Sequence, residues 1–164
     1  MPSNNINIKS VAVIGAGVMG AQLAALFANK GIRSYLYDIT TDTATLGKDR
    51  LKIIKPPPLE QSENIELIQA CGLDKDIHKI KKVDWIIEAV PEKIEIKIEV
   101  FKKISPYIHK RAILSSNTSG ITLNELIKNL PENLKSRFLI THFFNPPRYM
   151  KLLEIVKNEQ TSLE

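Results

Sequence analysis

The stretch Val11–Ala24, VAVIGAGVMGAQLA, decides the fold. An apolar run ends in glycine at Gly15, and glycine returns at Gly17 and Gly20. The run reads as a buried strand. The residues beyond it, VMGAQLAALFANKG, carry Val18, Leu23, Leu26 and Phe27 at helical spacing and close on Lys30-Gly31, a cation and a glycine suited to a helix C-terminus. A G-x-G-x-x-G motif alone is a weak signal. Between a strand and a helix it has the context in which it holds a dinucleotide. Gly15 then allows the tight turn, Gly17 lets the backbone approach a pyrophosphate, and Gly20 lets the helix close on the strand. The first-turn amides, at Val18 and Met19, and the positive end of the helix dipole face the phosphates.

A second test lies downstream. SYLYD reads as a short strand, and its Asp38 stands 18 residues after Gly20. A carboxylate there accepts the ribose hydroxyls and repels a 2'-phosphate, which favours NAD over NADP, with FAD as the rival dinucleotide. The alternative role for Asp38 is to cap a helix beginning near Thr40 or Thr41.

The rest of the chain continues the alternation. TTDTATLGKDRLKIIK reads as a helix weakened by Gly47. Pro56–Pro58 must stop it, because proline lacks the amide and clashes with the preceding turn. NIELIQACG holds a short edge strand, KDIHKIKK a helical turn, VDWIIEAV a buried strand and KIEIKIEVFKKISPYI an amphipathic helix. AILSSNTS is a strand entering a loop, LNELIKNL a helix, and RFLITHFF and KLLEIV two more strands. The fold class is therefore α/β: a Rossmann-type, doubly wound, mostly parallel sheet with helices on both faces and a C-terminal antiparallel strand.

Composition agrees with one globular domain. The 164 residues are 43% apolar and 25% charged. No run of apolar residues is long enough to span a bilayer, and MPSNNINIKS lacks the apolar region of a secretory signal. The single cysteine, Cys71, excludes an internal disulfide framework and points to a reducing cytoplasm. The net charge of +5 is dispersed in small groups such as KIKK and FKK. These read as solvated faces, or as mild attraction for a polyanion such as a dinucleotide or a coenzyme A ester. No nucleic-acid motif accompanies them.

Ligands of a doubly wound sheet collect at the carboxyl ends of its strands. Three polar stretches fall there: EAVPEKIEIK, SSNTSG and THFFNPP. His142 ends a strand and is suited to exchanging a proton near neutral pH. Glu154 lies in the apolar run LLEIV, where a carboxylate needs a partner if buried. If the last two strands pair antiparallel about a loop centred near Arg148, His142 and Glu154 fall opposite each other, each six residues from that centre. The carboxylate would then hold one ring nitrogen, and the other could take a proton from an alcohol. The alternative is a satisfied strand-end histidine with Glu154 in solvent. His78 and His109 have no such setting and read as surface residues.

Taken together, GAGVMG, WIIEAVPEKIEIK, SSNTSG and THFFNPPRYMKLLEIV resemble the NAD-binding domain of the 3-hydroxyacyl-CoA dehydrogenases. The likeness runs from about Lys9 to Glu159. The short KPPPLE segment resembles the large multifunctional variety, in which an enoyl-CoA hydratase-like region follows. The resemblance implies oxidation of the 3-hydroxyl of an acyl-CoA with NAD as acceptor, as in fatty-acid β-oxidation. It implies His142 as the base, Glu154 as its partner, Ser119 as the holder of the substrate's 3-oxygen and Asn145 near the nicotinamide. It further implies cofactor contacts at Ala89, Val90, Glu92, Lys97 and Asn117, with Asp38 on the adenosine ribose. Lys97 as a solvated helix lysine and Ser119 as a helix cap are the plainer readings.

Two departures from that family follow. Its members continue into a helical domain that closes over the acyl-CoA and usually forms the dimer; residues 1–164 therefore read as a truncated NAD-binding domain, with the helical domain separate or fused elsewhere. The segment from Arg50 to Ile65 is also shorter than the helical tail that grips coenzyme A in single-function enzymes. The rival functions are a non-catalytic nucleotide-binding module and a dehydrogenase of another small hydroxy acid.

Overall fold

A computed structural model describes residues 7–162. The expectations for the opening and closing residues, 1–6 and 163–164, lie outside the described part. The chain forms one seven-stranded sheet in the order β3-β2-β1-β4-β5-β6-β7. Its strands are β1 (Ser10–Ile14), β2 (Arg33–Asp38), β3 (Ile68–Gly72), β4 (Trp85–Glu88), β5 (Ile113–Ser116), β6 (Phe138–Phe143) and β7 (Leu153–Lys157). All neighbours pair parallel except β6 and β7, which run antiparallel. The order turns back between β1 and β4, the crevice where doubly wound sheets bind ligands.

β1 shows why both faces are covered. Its residues Val11 to Ile14 are all fully buried. Val11 and Val13 pack into the layer built by α1 (Val18–Ala28) and α2 (Thr41–Arg50). Ala12 and Ile14 face the opposite layer, which holds Phe101 and Ile104 of α3 (Ile94–Ile104) and Leu123 and Leu126 of α4 (Leu123–Ile127). Apolar residues at consecutive positions are what a strand buried on both sides requires.

Helix boundaries follow local chemistry. Thr40 caps α2, its hydroxyl accepting the Thr43 N–H while the Thr43 hydroxyl takes the Thr40 N–H. Thr122 and Glu125 form the same reciprocal box at α4. The sequence pattern carries α2 on towards Lys55, but the helix ends at Arg50. There the Leu51, Lys52 and Ile53 amides tighten onto carbonyls three residues back, ahead of a proline that disfavours helix at Lys55. The expected edge strand in NIELIQACG is shorter than its pattern. Ser62–Leu67 forms a 3-10 turn, and only Ile68–Gly72 joins the sheet. A short helix α5 (Glu132–Lys135), which the periodicity did not reveal, buries Leu134 below β6.

Among the described residues no helix is long and apolar enough to cross a membrane. Phe101 of α3 is fully buried and edge-on to Phe138 at 5.6 Å between ring centres. Replacing it with alanine is expected to lower folding stability by about 3–5 kcal/mol in urea titration, from lost transfer energy plus the cavity. A loss below about 1 kcal/mol would mean that α3 does not pack on the sheet as described.

Candidate functional site

The loop between β1 and α1 is built from close backbone approaches. Gly15 has φ 107°, a region L side chains rarely adopt, and a Cβ there would stand 2.6 Å from the Ala89 carbonyl oxygen. A Cβ on Gly20 would overlap the Gly15 carbonyl oxygen, so α1 lies as near the turn as two backbones allow. Gly17 differs: it is the N-cap of α1, and nothing stands within 4 Å of where its Cβ would be. No side chain caps α1. The amides of its first turn, including Val18 and Met19, therefore meet the space beyond Gly17, as a pyrophosphate requires.

Asp38 ends β2 beside this loop. Its Oδ2 accepts the Ala16 N–H at 2.8 Å, and its Oδ1 accepts the Ile39 N–H at 2.8 Å. The helix cap is Thr40, so Asp38 is not spent on that role. Each carboxylate oxygen keeps a further lone pair for a hydroxyl. An open cradle for phosphates with an acidic residue at the neighbouring strand end fits a dinucleotide.

At the end of β4 a buried ionic unit organises the next two loops. Glu88 is fully buried, and Lys97 on α3 is 1% exposed. The Lys97 ammonium donates to Glu88 Oε1 at 2.8 Å and lies 3.2 Å from Glu92 Oε2. Glu88 also accepts the Val90 N–H at 2.7 Å and the Ser116 hydroxyl at 2.5 Å. Glu92 in turn accepts the Thr118 hydroxyl, the Ser119 N–H at 3.2 Å and the Gly120 N–H at 3.0 Å. Burial alone would raise the Glu92 carboxyl. The Thr118 and Gly120 hydrogen bonds and the Lys97 charge outweigh it and bring the group down to about 2. Lys97 is thus an interior cation that joins two carboxylates, and Ser119 belongs to a loop tied by Glu92.

The histidine sits across the last strand pair. His142 and Glu154 are register partners in β6 and β7, as the pairing about Arg148 predicts. His142 Nδ1 and Glu154 Oε2 are 2.8 Å apart. The contact occupies Nδ1 and leaves Nε2 as the ring nitrogen turned away from Glu154. Glu154 is not buried as its apolar neighbours imply: its side chain is 57% exposed, because β7 is an edge strand open along its length. The loop after β6 is held from several sides. Asn117 Oδ1 accepts the Phe143 N–H at 2.9 Å, and Asn145 Oδ1 accepts from Gln22 of α1 at 3.1 Å. Arg148 donates to the Pro57 and Leu59 carbonyls, and the Tyr149 hydroxyl donates to the Pro57 carbonyl. His78 and His109 are exposed.

Sequence reasoning missed Glu88 and Gln22. Each carried a signal, being a polar side chain in an otherwise apolar stretch: WIIE for Glu88, and AQLAAL for Gln22. Among the described residues no group of three or more His, Cys, Asp or Glu side chains is placed to hold a metal ion.

A family model described as 3-hydroxyacyl-CoA dehydrogenase, NAD binding domain, matches residues 10–164. The chain is 44% identical, in an alignment of 164 positions that covers 96% of its length, to a Rickettsia felis protein named for a fatty acid oxidation complex trifunctional enzyme, of which it spans 23%. It is 37% identical, in an alignment of 160 positions that covers 94% of its length, to the fatty acid oxidation complex subunit alpha of Idiomarina loihiensis, of which it spans 22%. Among solved structures it superposes on 3-hydroxybutyryl-CoA dehydrogenase of Escherichia coli K12 with a TM-score of 0.80 and 30% identity, covering 96% of this chain and 34% of that one. It thus spans about a quarter of those two curated relatives.

The Glu92 carboxyl makes acid stability a direct readout of this network. Its folded value lies below the ordinary 4.5, so the unfolded chain takes up the proton first as pH falls. The stabilisation is complete above about pH 4.5 and fades as pH drops towards about 2. Glu92→Gln is expected to flatten that limb of the stability curve, measured by urea titration across the interval; an unchanged limb would contradict the hydrogen-bond set. Lys97→Met, which leaves Glu88 buried without its cation, is expected to cost about 3–5 kcal/mol by the same measurement.

Proposed function

The chain belongs to the 3-hydroxyacyl-CoA dehydrogenase NAD-binding domain family, and from that premise we propose that it serves the NAD-dependent oxidation of a 3-hydroxyacyl-CoA to the 3-keto ester in fatty-acid oxidation. When bound, NAD supplies a nicotinamide ring that accepts the two electrons leaving the carbinol carbon. The protein's own groups do the rest. The open face of Gly17 and the amides of Val18 and Met19 receive the pyrophosphate. Asp38 accepts the adenosine ribose hydroxyls and turns away a 2'-phosphate. Ala89, Val90 and Asn117 border the nicotinamide half, with Glu92 and Lys97 setting the loops around it.

His142 Nε2 takes the proton of the substrate's 3-hydroxyl. Glu154 holds Nδ1–H, keeps the ring in the required tautomer and opposes the positive charge that forms. Ser119 donates to the 3-oxygen, and Asn145 orients the reacting carbon. A helical domain, fused or separate, completes the acyl-CoA site and the dimer.

The observation that carries this reading is the His142–Glu154 contact, near the carboxyl end of β6 and so at the same end of the parallel strands as the glycine loop after β1. Titration calorimetry is expected to give NADH at least about tenfold tighter binding than NADPH, a gap of about 1.4 kcal/mol. With the helical domain supplied, and 3-hydroxybutyryl-CoA and NAD followed by NADH absorbance, His142→Ala is expected to lower the rate by about 10²–10⁴ while leaving NADH affinity within about twofold. A histidine variant that keeps its rate, or a chain that prefers NADPH, would refute the assignment.

A further inference from the structure

Gly47 stands in the middle of α2, where alanine is the better helix former. Its backbone is ordinary right-handed helix, so conformation does not ask for glycine. Contact does. A Cβ at Gly47 would run into the Ala16 carbonyl oxygen, and would lie 2.7 Å from Ala16 Cβ and 3.2 Å from the Ala16 carbonyl carbon. Ala16 is itself restrained: it is 4% exposed, and its N–H is held by Asp38 Oδ2 at 2.8 Å. The helix is equally fixed, with Ala44 fully buried against the sheet and Thr40 capping its start. Any side chain at residue 47 must therefore lift the Ala16–Gly17 peptide or lever α2 away from the loop.

We propose that Gly47 is a fourth glycine of the nucleotide loop, a positioning residue whose missing side chain sets the height of the Ala16–Gly17 peptide and so the grip on a dinucleotide's pyrophosphate. The proposal rests on the cofactor reading above and extends it to a residue outside the G-x-G-x-x-G motif. It also explains why a helix-weakening residue occupies a helix centre.

The test is calorimetric titration of the protein with NADH, alongside thermal melts and amide NMR of the free protein. Thr45→Ala, on the exposed side of the same helix, serves as the control and should bind within about twofold of the original chain. Gly47→Ala should bind NADH at least about tenfold more weakly and should move the Gly17 and Val18 amide resonances before ligand is added. If Gly47→Ala melts too low to titrate, Ala16→Gly/Gly47→Ala gives the peptide room to shift, and the same loss of affinity is expected there. A merely structural glycine would lower the melting temperature and leave the affinity of the folded protein unchanged, which overturns the proposal while the cofactor reading stands. An original chain that binds no NADH overturns both.

Discussion

The site depends on how closely α1 approaches the end of β1. A helix carries its positive end only a short distance, so its amides act on a phosphate only if the turn before it is tight and bare. Gly15 and Gly20 meet that condition by contact. One abuts the Ala89 carbonyl and the other the Gly15 carbonyl, so any larger residue would separate helix from strand. Gly17 is the member of the motif left facing open space. The same turn sits beneath Asp38 and against α2, so the nucleotide cradle is assembled from elements far apart in the chain.

The second half of the site is tied by charge rather than by shape. Burying Glu88 and Lys97 is expensive unless the pair is close and its remaining valences are filled. Here they are: the carboxylate meets Lys97, the Val90 amide and Ser116, and the ammonium also reaches Glu92 and the Val90 carbonyl. Such a unit adds little to net stability compared with apolar packing, but it permits few alternative arrangements. Through Glu92 it fixes the Thr118–Gly120 segment, and the adjoining Asn117 accepts the N–H of Phe143, the residue after His142.

Much of this was legible from the residues in order. Glycine spacing, continuous apolar strands and the acidic end of β2 are local signals, and they located the doubly wound sheet, the strand ends that face the site and the glycine loop. The His142–Glu154 pairing was legible because antiparallel register follows from the length of the intervening loop. What escaped was non-local or non-periodic. The 3-10 turn at Ser62–Leu67 carries Ile65 and Leu67 at strand spacing just before β3. The role of Lys97 was hidden because its partner, Glu88, lies nine residues back on another element. Gly47 read as a defect of its own helix, since the atom it must avoid belongs to a residue more than thirty positions away.

The exposed edge of the sheet carries a consequence of its own. β7 is paired on one side only, and its residues, including Leu153, Ile155 and Val156, lie open to solvent. Glu154 reaches the histidine from that strand, so the imidazole's orientation is no more durable than a five-residue ladder. Edge ladders open at free energies well below that of global unfolding. The glycine cradle, deep in the middle of the sheet, would outlast such an opening. On the proposed reading, nucleotide affinity and proton transfer rest on parts of one sheet with different lifetimes, and a cover over β7 would govern the second without touching the first.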